Sequence, residues 1–212
     1  MDFPDRLLVG YRAFRRDRLP VEQDRYRTLA EAGQKPEVMI VGCCDSRVSP
    51  EVVFDARPGE MFVVRNVANL VPPYTPDGMI HGVSAALEFA VQALKVRHVV
   101  VLGHARCGGI RAYAEQDRPL SPGDFIGQWM SLVSPAAAAV GERGSRPLEQ
   151  YLAMLEQASV VRSLENLVTF PFVRARVEAG ELGLHAAYFD VATGLMSVRD
   201  PGEGGFAPVD AD

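Results

Sequence analysis

Two kinds of hydrophobic pattern alternate along the chain. Continuous apolar runs, which are typical of strands buried on both faces, cover residues 37–43, 60–66 and 98–104. Between the last two runs, residues 82–96 place Val83, Leu87 and Val91 at helical spacing. Strands that alternate with crossover helices predict an α/β fold with a mainly parallel central sheet and flanking helices.

Outside these alternating strands and helices, the sequence predicts an N-terminal helical arm, a strand at the edge of the sheet and a C-terminal tail. Residues 1–33 are expected to form an N-terminal helical arm in two pieces broken near Pro20, with Gly33 as its C-terminal cap. Residues 184–200 predict a hairpin whose last strand lies antiparallel at the sheet edge. Further helices are expected at residues 125–140 and 148–161. The domain then spans residues 34–200, and the Gly- and Pro-rich residues 201–212 predict a loose tail.

Composition and charge narrow the class of protein. The 212 residues are 48% hydrophobic, which suits one domain with a substantial core. A net charge of -5 argues against nucleic acid or an anionic membrane as partner. No secretory signal is evident, and the apolar runs are shorter than a membrane span. The odd number of cysteines, three, fits a reducing compartment, so a cytoplasmic protein is expected.

Candidate chemistry lies at the ends of two predicted strands. Cys43 ends the first strand and His104 ends the third, and Cys107 follows His104 by three residues. Open parallel sheets bind ligands outside the carboxyl ends of their strands. Two thiolates and one imidazole suit tetrahedral zinc, and three protein ligands leave the fourth position free for chemistry. The alternative, a redox or merely packed thiol, is disfavoured because these residues occur together with Asp45 and Arg47.

The remaining cysteine and histidines lack such a pattern. Cys44 must point away from Cys43 on adjacent backbone, so it is interpreted as a bystander. The other histidines have no paired ligand spacing and are interpreted as structural, with His81 also a candidate proton shuttle; they are His81, His98 and His185.

The motifs that carry this chemistry resemble those of the β-class carbonic anhydrases. "CCDSR" is similar to the family pattern C-x-D-S-R, and "HARCGG" is similar to H-x-x-C-G-G. Residues 58–74, "PGEMFVVRNVANLVPPY", resemble the plant-type branch of the family, as do residues 166–174, "NLVTFPFVR". The resemblance runs from about Gln34 to the final hairpin, whereas the N-terminal helices match only in character.

The resemblance implies a role for each matching residue. It makes Cys43, His104 and Cys107 the ligands of one zinc ion per subunit. It makes Asp45 and Arg47 the catalytic pair. It also implies a homodimer or higher even oligomer, with the active site at the dimer interface. The implied substrate-binding residues are Gln34, which reaches the substrate from the neighbouring subunit, the apolar pocket residues Phe62 and Val67, and the Gly108 amide.

The reaction so implied is the reversible hydration of carbon dioxide to bicarbonate and a proton. Zinc lowers the pKa of its bound water to about 7 in favourable sites. Two thiolates cancel the charge of the dication, so that water should be less acidic than at an all-histidine site. Activity is therefore expected to rise through mildly alkaline pH. Asp45, held by Arg47, would accept a hydrogen bond from the attacking oxygen and so orient it.

Asp45 has a second possible role, as a fourth zinc ligand that closes the site. Family members that close in this way carry a tryptophan three residues before the first ligand. Here that position is Ile40, and the single tryptophan, Trp129, lies elsewhere. The open form is therefore expected. Phe89 is a departure from the tyrosine common in the plant-type branch, and its missing hydroxyl would alter hydrogen bonding near the pocket.

Two other functions remain open at this point. One is hydrolysis of carbon disulfide or carbonyl sulfide on the same zinc site. The other is a non-catalytic, zinc-stabilised interaction domain that Asp45 keeps closed, which Arg47 argues against.

Overall fold

The computed structural model describes residues 2–77, 79–115, 124–202 and 204–209. Within these residues a single sheet has six strands in the order β2-β1-β3-β4-β5-β6. The strands are β1 (Val38–Cys43), β2 (Met61–Asn66), β3 (His98–His104), β4 (Gly183–Phe189), β5 (Met196–Arg199) and β6 (Phe206–Pro208). The first four strands pair in parallel, and β5 and β6 pair antiparallel at one edge. The predicted α/β class is confirmed.

Helices flank this sheet and precede it. The α-helices are α1 (Asp5–Ala13), α2 (Leu19–Ala32), α3 (Pro50–Val53), α4 (Gly82–Glu88), α5 (Gly108–Glu115), α6 (Asp124–Met130), α7 (Ser134–Val140), α8 (Leu148–Leu167) and α9 (Pro171–Glu178). Segments of π-helix cover Phe14–Arg18 and Phe89–Leu94, and segments of 3₁₀-helix cover Val67–Asn69 and Ser131–Val133.

The N-terminal arm differs from its prediction near Pro20. The chain stays helical from α1 through the π-helical segment Phe14–Arg18 into α2, so the predicted break is wrong. Pro20 has no backbone N–H to continue the α-helical hydrogen bonds, and it lies just after the π-helical segment, where the regular α-helical pattern is already interrupted. Gly33 ends the arm as predicted, with a φ of 77° that glycine adopts at little cost.

The C-terminal region also differs from its prediction. Residues 206–208 form β6 and pair with β5, so the described part of the tail is not wholly loose. Phe206 places its ring 6.1 Å from the ring of Tyr188, and this contact anchors the strand on the sheet. One aromatic residue among glycines and prolines is a weak strand signal, which explains the difference.

The sheet order makes the carboxyl ends of β1 and β3 the natural place for a site. β1 lies between β2 and β3, so the crossover connections diverge from this point and leave a crevice. Helix α8, six residues longer than predicted at its C-terminal end, covers this region. It approaches β3 so closely that a Cβ on Gly103 would clash with Val160 Cγ2.

Candidate metal centre

Three potential metal ligands converge at the carboxyl ends of β1 and β3. Cys43 is the last residue of β1, His104 is the last residue of β3, and Cys107 immediately precedes α5. Their ligand atoms all lie within 4.8 Å of one another. The three residues are only 4%, 1% and 2% exposed, respectively, so bulk water does not compete for these atoms. The structure thus brings together the three residues that the sequence singled out.

His104 presents one specific nitrogen to the two thiols. Its Nδ1 lies 2.9 Å from the carbonyl oxygen of Ala105, which can only accept a hydrogen bond. Nδ1 therefore carries the proton, and Nε2 has its lone pair free in the neutral ring. Among the described residues, buried Nε2 has no hydrogen-bond partner. An unpartnered buried polar atom is costly, and a bound cation would satisfy it.

The two cysteines differ in the pKa of their thiols. The hydrogen bond from Cys107 lowers the pKa of Cys43 to about 4, with further help from His104. The same hydrogen bond to Cys43, together with burial, raises the pKa of Cys107. Burial opposes the charged form of His104, but the nearby Cys43 thiolate outweighs it and raises the pKa of His104. Cys43 is therefore the more acidic of the two thiols and the first to give up its proton to a cation.

Asp45 stands beside the ligands and is held by Arg47. Arg47 Nε and Nη2 donate to the two carboxylate oxygens at 2.9 and 2.7 Å, and the Arg47 backbone N–H donates at 3.0 Å. These hydrogen bonds to Arg47 hold the pKa of Asp45 well below its usual range. Asp45 Oδ2 lies 3.9 Å from His104 Nε2, so the ionised carboxylate faces the position where a metal ion would sit.

Arg47 also joins the two motif loops. Its Nη2 donates to the carbonyl oxygen of Arg106 at 3.0 Å. Arg106 lies between His104 and Cys107 and has a φ of 60°, a left-handed conformation that non-glycine residues seldom adopt. The contact fixes this strained loop against the first motif. Arg47 therefore positions Asp45 and the second ligand loop at once.

Arg65, which the sequence did not single out, supports the loop that carries Asp45. From β2 its side chain donates to the carbonyl oxygens of Cys43 and Asp45, both at 2.7 Å, and of Val48 at 3.1 Å. The register pairs Cys43 with Asn66, which places Arg65 next to the end of β1. Its position inside an apolar run was the available signal, since a cation there needs specific partners.

A second unanticipated group is the buried carboxylate of Glu156, on α8. Its Oε1 accepts the Cys107 backbone N–H at 2.9 Å, and its Oε2 accepts the Tyr188 hydroxyl at 2.6 Å. Burial raises the pKa of Glu156, although these two donors and the nearby His104 oppose the change. Because the contact is to the backbone of a ligand, Glu156 orients Cys107 without touching the metal position.

Removal of this carboxylate is expected to weaken the metal site. Glu156→Ala leaves the Cys107 N–H and the Tyr188 hydroxyl without their partner in a buried place. Loss of such supporting contacts typically lowers metal affinity by about 10–100-fold. Competition with a chromogenic chelator would measure the affinity. Glu165→Ala is the matched control because Glu165 is exposed on the same helix; equal zinc affinity in the two variants would contradict the role of Glu156.

The predicted substrate-binding residues fall into two groups. Val67 packs in the same apolar cluster as Cys43 and Cys107, and Gly108 begins α5 directly after Cys107. Gln34 precedes β1, and Phe62 lies near the start of β2, so both residues lie toward the amino ends of the parallel strands. They do not adjoin the ligands of their own chain. Their expected role therefore requires a second chain and stays a prediction.

The other residues singled out in the sequence have ordinary structural partners. Cys44 is exposed, and no disulfide links the three cysteines. Ile40 is buried within β1, and Trp129 donates its indole N–H to the carbonyl oxygen of Val67 at 2.8 Å. Phe89 contacts Phe62, with ring centroids 5.8 Å apart. His81 pairs with Asp77 at 2.7 Å, and His98 pairs with His185.

Two buried thiols, a buried imidazole and an arginine-held carboxylate at the switch point of an open sheet define the class of this protein. It is an α/β protein in which two cysteines and one histidine at the carboxyl ends of parallel strands could hold a metal ion. The model of the family described as "Carbonic anhydrase" matches residues 38–196. The chain therefore belongs to the carbonic anhydrase family, and its relatives place it in the β class.

Individual relatives support this assignment. The chain is 35% identical to "Beta carbonic anhydrase 5, chloroplastic" of Arabidopsis thaliana over 190 residues, which cover 89% of this chain and 62% of that relative. The chain thus spans about three fifths of the length of this relative.

Solved structures agree in fold. The β-carbonic anhydrase CcaA superimposes with a TM-score of 0.89 at 26% identity, covering 98% of this chain and 92% of that chain. A tetrameric β-carbonic anhydrase of Sordaria macrospora gives a TM-score of 0.73 at 28% identity and covers 92% of each chain.

In the part of the chain that the structure describes, no helix has the length and apolar character that a bilayer crossing requires.

Proposed function

We propose that this protein catalyses the reversible hydration of carbon dioxide to bicarbonate and a proton, with one zinc ion per chain held by Cys43, His104 and Cys107. The observation that carries the proposal is the position of Asp45. Its carboxylate faces the ligand atoms, yet Arg47 occupies both of its oxygens. The family to which the chain belongs supports the reaction.

The residues present fit zinc. Zinc favours thiolate sulfur and imidazole nitrogen, and Cys₂His is a ligand set of catalytic zinc sites. His104 offers an unpartnered Nε2, while its Nδ1–H is bound to a backbone carbonyl, as is usual for a metal-ligating histidine. Cys43 is already the more acidic thiol, so binding needs the further loss of the Cys107 proton.

The residues around this set orient the reaction. Zinc, when bound, lowers the pKa of a coordinated water so that hydroxide forms near neutral pH. Asp45, ionised and therefore only an acceptor, takes a hydrogen bond from the reacting oxygen and directs its lone pair toward the substrate carbon. Arg47 keeps the carboxylate charged and holds both of its oxygens, so that Asp45 does not become a fourth ligand.

Substrate contacts divide between this chain and a second copy. The small apolar wall at Val67 suits a substrate without a dipole, and the Gly108 amide can donate to a developing bicarbonate oxygen. Gln34 and Phe62 are assigned to the site of a neighbouring subunit, since they lie toward the opposite edge of their own sheet. We therefore propose a homodimer or higher even oligomer.

The N-terminal arm supports self-association. None of the residues in α1 or α2 is buried. Large apolar side chains of the arm and the residues before it stand exposed, namely Phe3, Leu7, Val9, Tyr11, Val21 and Tyr26. Exposed apolar area of this kind marks interaction surfaces. We also propose a cytoplasmic location, which the three free cysteines support.

The proposed activity is tested by stopped-flow hydration of carbon dioxide, with zinc analysis on the same sample. We expect about one zinc per chain and a hydration rate that rises through mildly alkaline pH. Because Arg47 depresses the pKa of Asp45, protonation of Asp45 should not produce this rise. Hydration that is already flat below pH 7 would contradict the expected effect of two thiolates on the zinc-bound water.

The same preparation tests the alternatives. Release of sulfide from carbon disulfide or carbonyl sulfide, without hydration of carbon dioxide, would favour hydrolysis of those substrates. Full zinc content without either reaction at alkaline pH would favour a non-catalytic, zinc-stabilised domain.

A further inference from the structure

A pair of histidines at the amino ends of two neighbouring strands has no role in the proposed reaction. His98 begins β3, and His185 lies near the start of the neighbouring strand β4. His98 is in register with Gly183, so His185 is two positions further along and projects from the same face of the parallel pair. Both residues are exposed. The side chains therefore meet at an accessible surface.

The two imidazoles point one nitrogen each at a common place. His98 Nδ1 and His185 Nε2 lie 3.1 Å apart. Both nitrogens stand over Gly183, where an added Cβ would lie 2.9 Å from each of them. Because residue 183 is glycine, it places no side chain in the space next to the two nitrogens.

The distance between these nitrogens matches the distance between two imidazole nitrogens bound to the same metal ion. Imidazole nitrogen lies about 2.0–2.1 Å from zinc. Two such bonds at a right angle separate the nitrogens by about 2.9 Å, and two at a tetrahedral angle by about 3.3 Å. The observed 3.1 Å lies between these values. In the free protein, one ring can donate an N–H to the other, and a change of tautomer on the donating ring would leave a lone pair on both nitrogens.

The protonation of the pair also suits a cation. Partial burial, with the neighbouring charge of His98, lowers the pKa of His185. His185 is therefore mainly neutral at pH 7, and neutral imidazole is the form that ligates metals.

We propose that His98 and His185 bind a divalent first-row transition-metal ion, with water molecules completing its coordination. Imidazole pairs suit Ni²⁺, Cu²⁺ and Zn²⁺, and affinity within this series is greatest for Cu²⁺. This second site is separate from the Cys₂His centre, because His104 lies at the other end of β3, about 20 Å away at the rise of a strand. The bound ion would link the amino ends of β3 and β4, and it does not depend on the proposed reaction.

Nickel titration of the zinc-loaded protein tests the proposal. Isothermal titration calorimetry should show one Ni²⁺ bound per chain, while metal analysis confirms that the Cys₂His zinc is retained. His98→Asn and His185→Asn should each lower the Ni²⁺ affinity at least about tenfold, since one imidazole seldom holds the ion alone. Ni²⁺ should also raise the melting temperature of the wild-type protein.

His81→Asn is the matched control, because His81 is the one other histidine outside the Cys₂His set in a chain with four. It should bind Ni²⁺ as the wild type does. The double variant His98→Asn/His185→Asn should lose both the binding heat and the nickel-dependent rise in melting temperature. Wild-type protein that binds no Ni²⁺, or equal binding by the double variant, would overturn the assignment.

Discussion

Cys43→Ser and His104→Ala are expected to lose zinc and carbon dioxide hydration together. Each variant leaves two protein ligands where the buried site offers three, and the introduced serine hydroxyl, unlike a thiolate, stays protonated near neutral pH. Zinc content should fall from about one per chain to less than about a tenth, and the hydration rate by at least about a hundredfold. Metal analysis after gel filtration and stopped-flow hydration on the same samples would measure both.

Cys44→Ser is the control for these variants. Cys44 adjoins Cys43 in sequence but is exposed, so its replacement removes a thiol without touching the ligand set. This variant should keep its zinc and its hydration rate. The ligand assignment would fail if Cys44→Ser lost zinc, or if Cys43→Ser retained a full complement.

Asp45→Asn is expected to separate zinc binding from turnover. The variant keeps all three ligands and the residue 45 backbone N–H that lies 3.4 Å from Cys43 Sγ. The amide, however, replaces one acceptor oxygen with an NH₂ donor, whereas Arg47 requires acceptors on both atoms. The bidentate contact breaks, and the reacting oxygen loses its reliable acceptor. Zinc should stay near one per chain while hydration falls about 10²–10³-fold.

Arg47→Lys extends this prediction, because an ammonium cannot reproduce the fork that holds both oxygens of Asp45. It should also slow hydration, by about tenfold or more.

Asp17→Asn is the matched control for Asp45→Asn. Asp17 makes a similar pair with Arg16, but on the exposed arm. Full activity in Asp45→Asn would refute the proposed orienting role.

The support of the site was the hardest part to foresee. Glu156 contacts Cys107 from α8, and no spacing rule connects a helical carboxylate with a cysteine so far back in the chain. The contact exists because α8 lies against β3, where Gly103 leaves room for Val160. Arg65 was similarly hidden within an apolar strand, and its partners became evident only when β2 was placed beside β1.

Phe62 illustrates a different limit. The resemblance placed it in a pocket, but its ring packs against Phe89 and not beside the ligands of its own chain. Side-chain type alone does not indicate which copy of a protein a residue serves. The arm around Pro20 and the short β6 differ from prediction for a local reason, because weak propensities there yield to neighbouring contacts.

The pattern of residues was enough to predict the α/β class, the ends of the principal strands and the three residues proposed as metal ligands. Buried strands demand continuous apolar runs, and polar residues such as Cys43 and His104 stand out where such runs end. The folded structure was needed to show that β1 and β3 are neighbours, and that Glu156, Arg65 and the His98–His185 pair reach their partners. Contacts between distant segments depend on the order of the strands and on the packing of the helices, and local periodicity indicates neither.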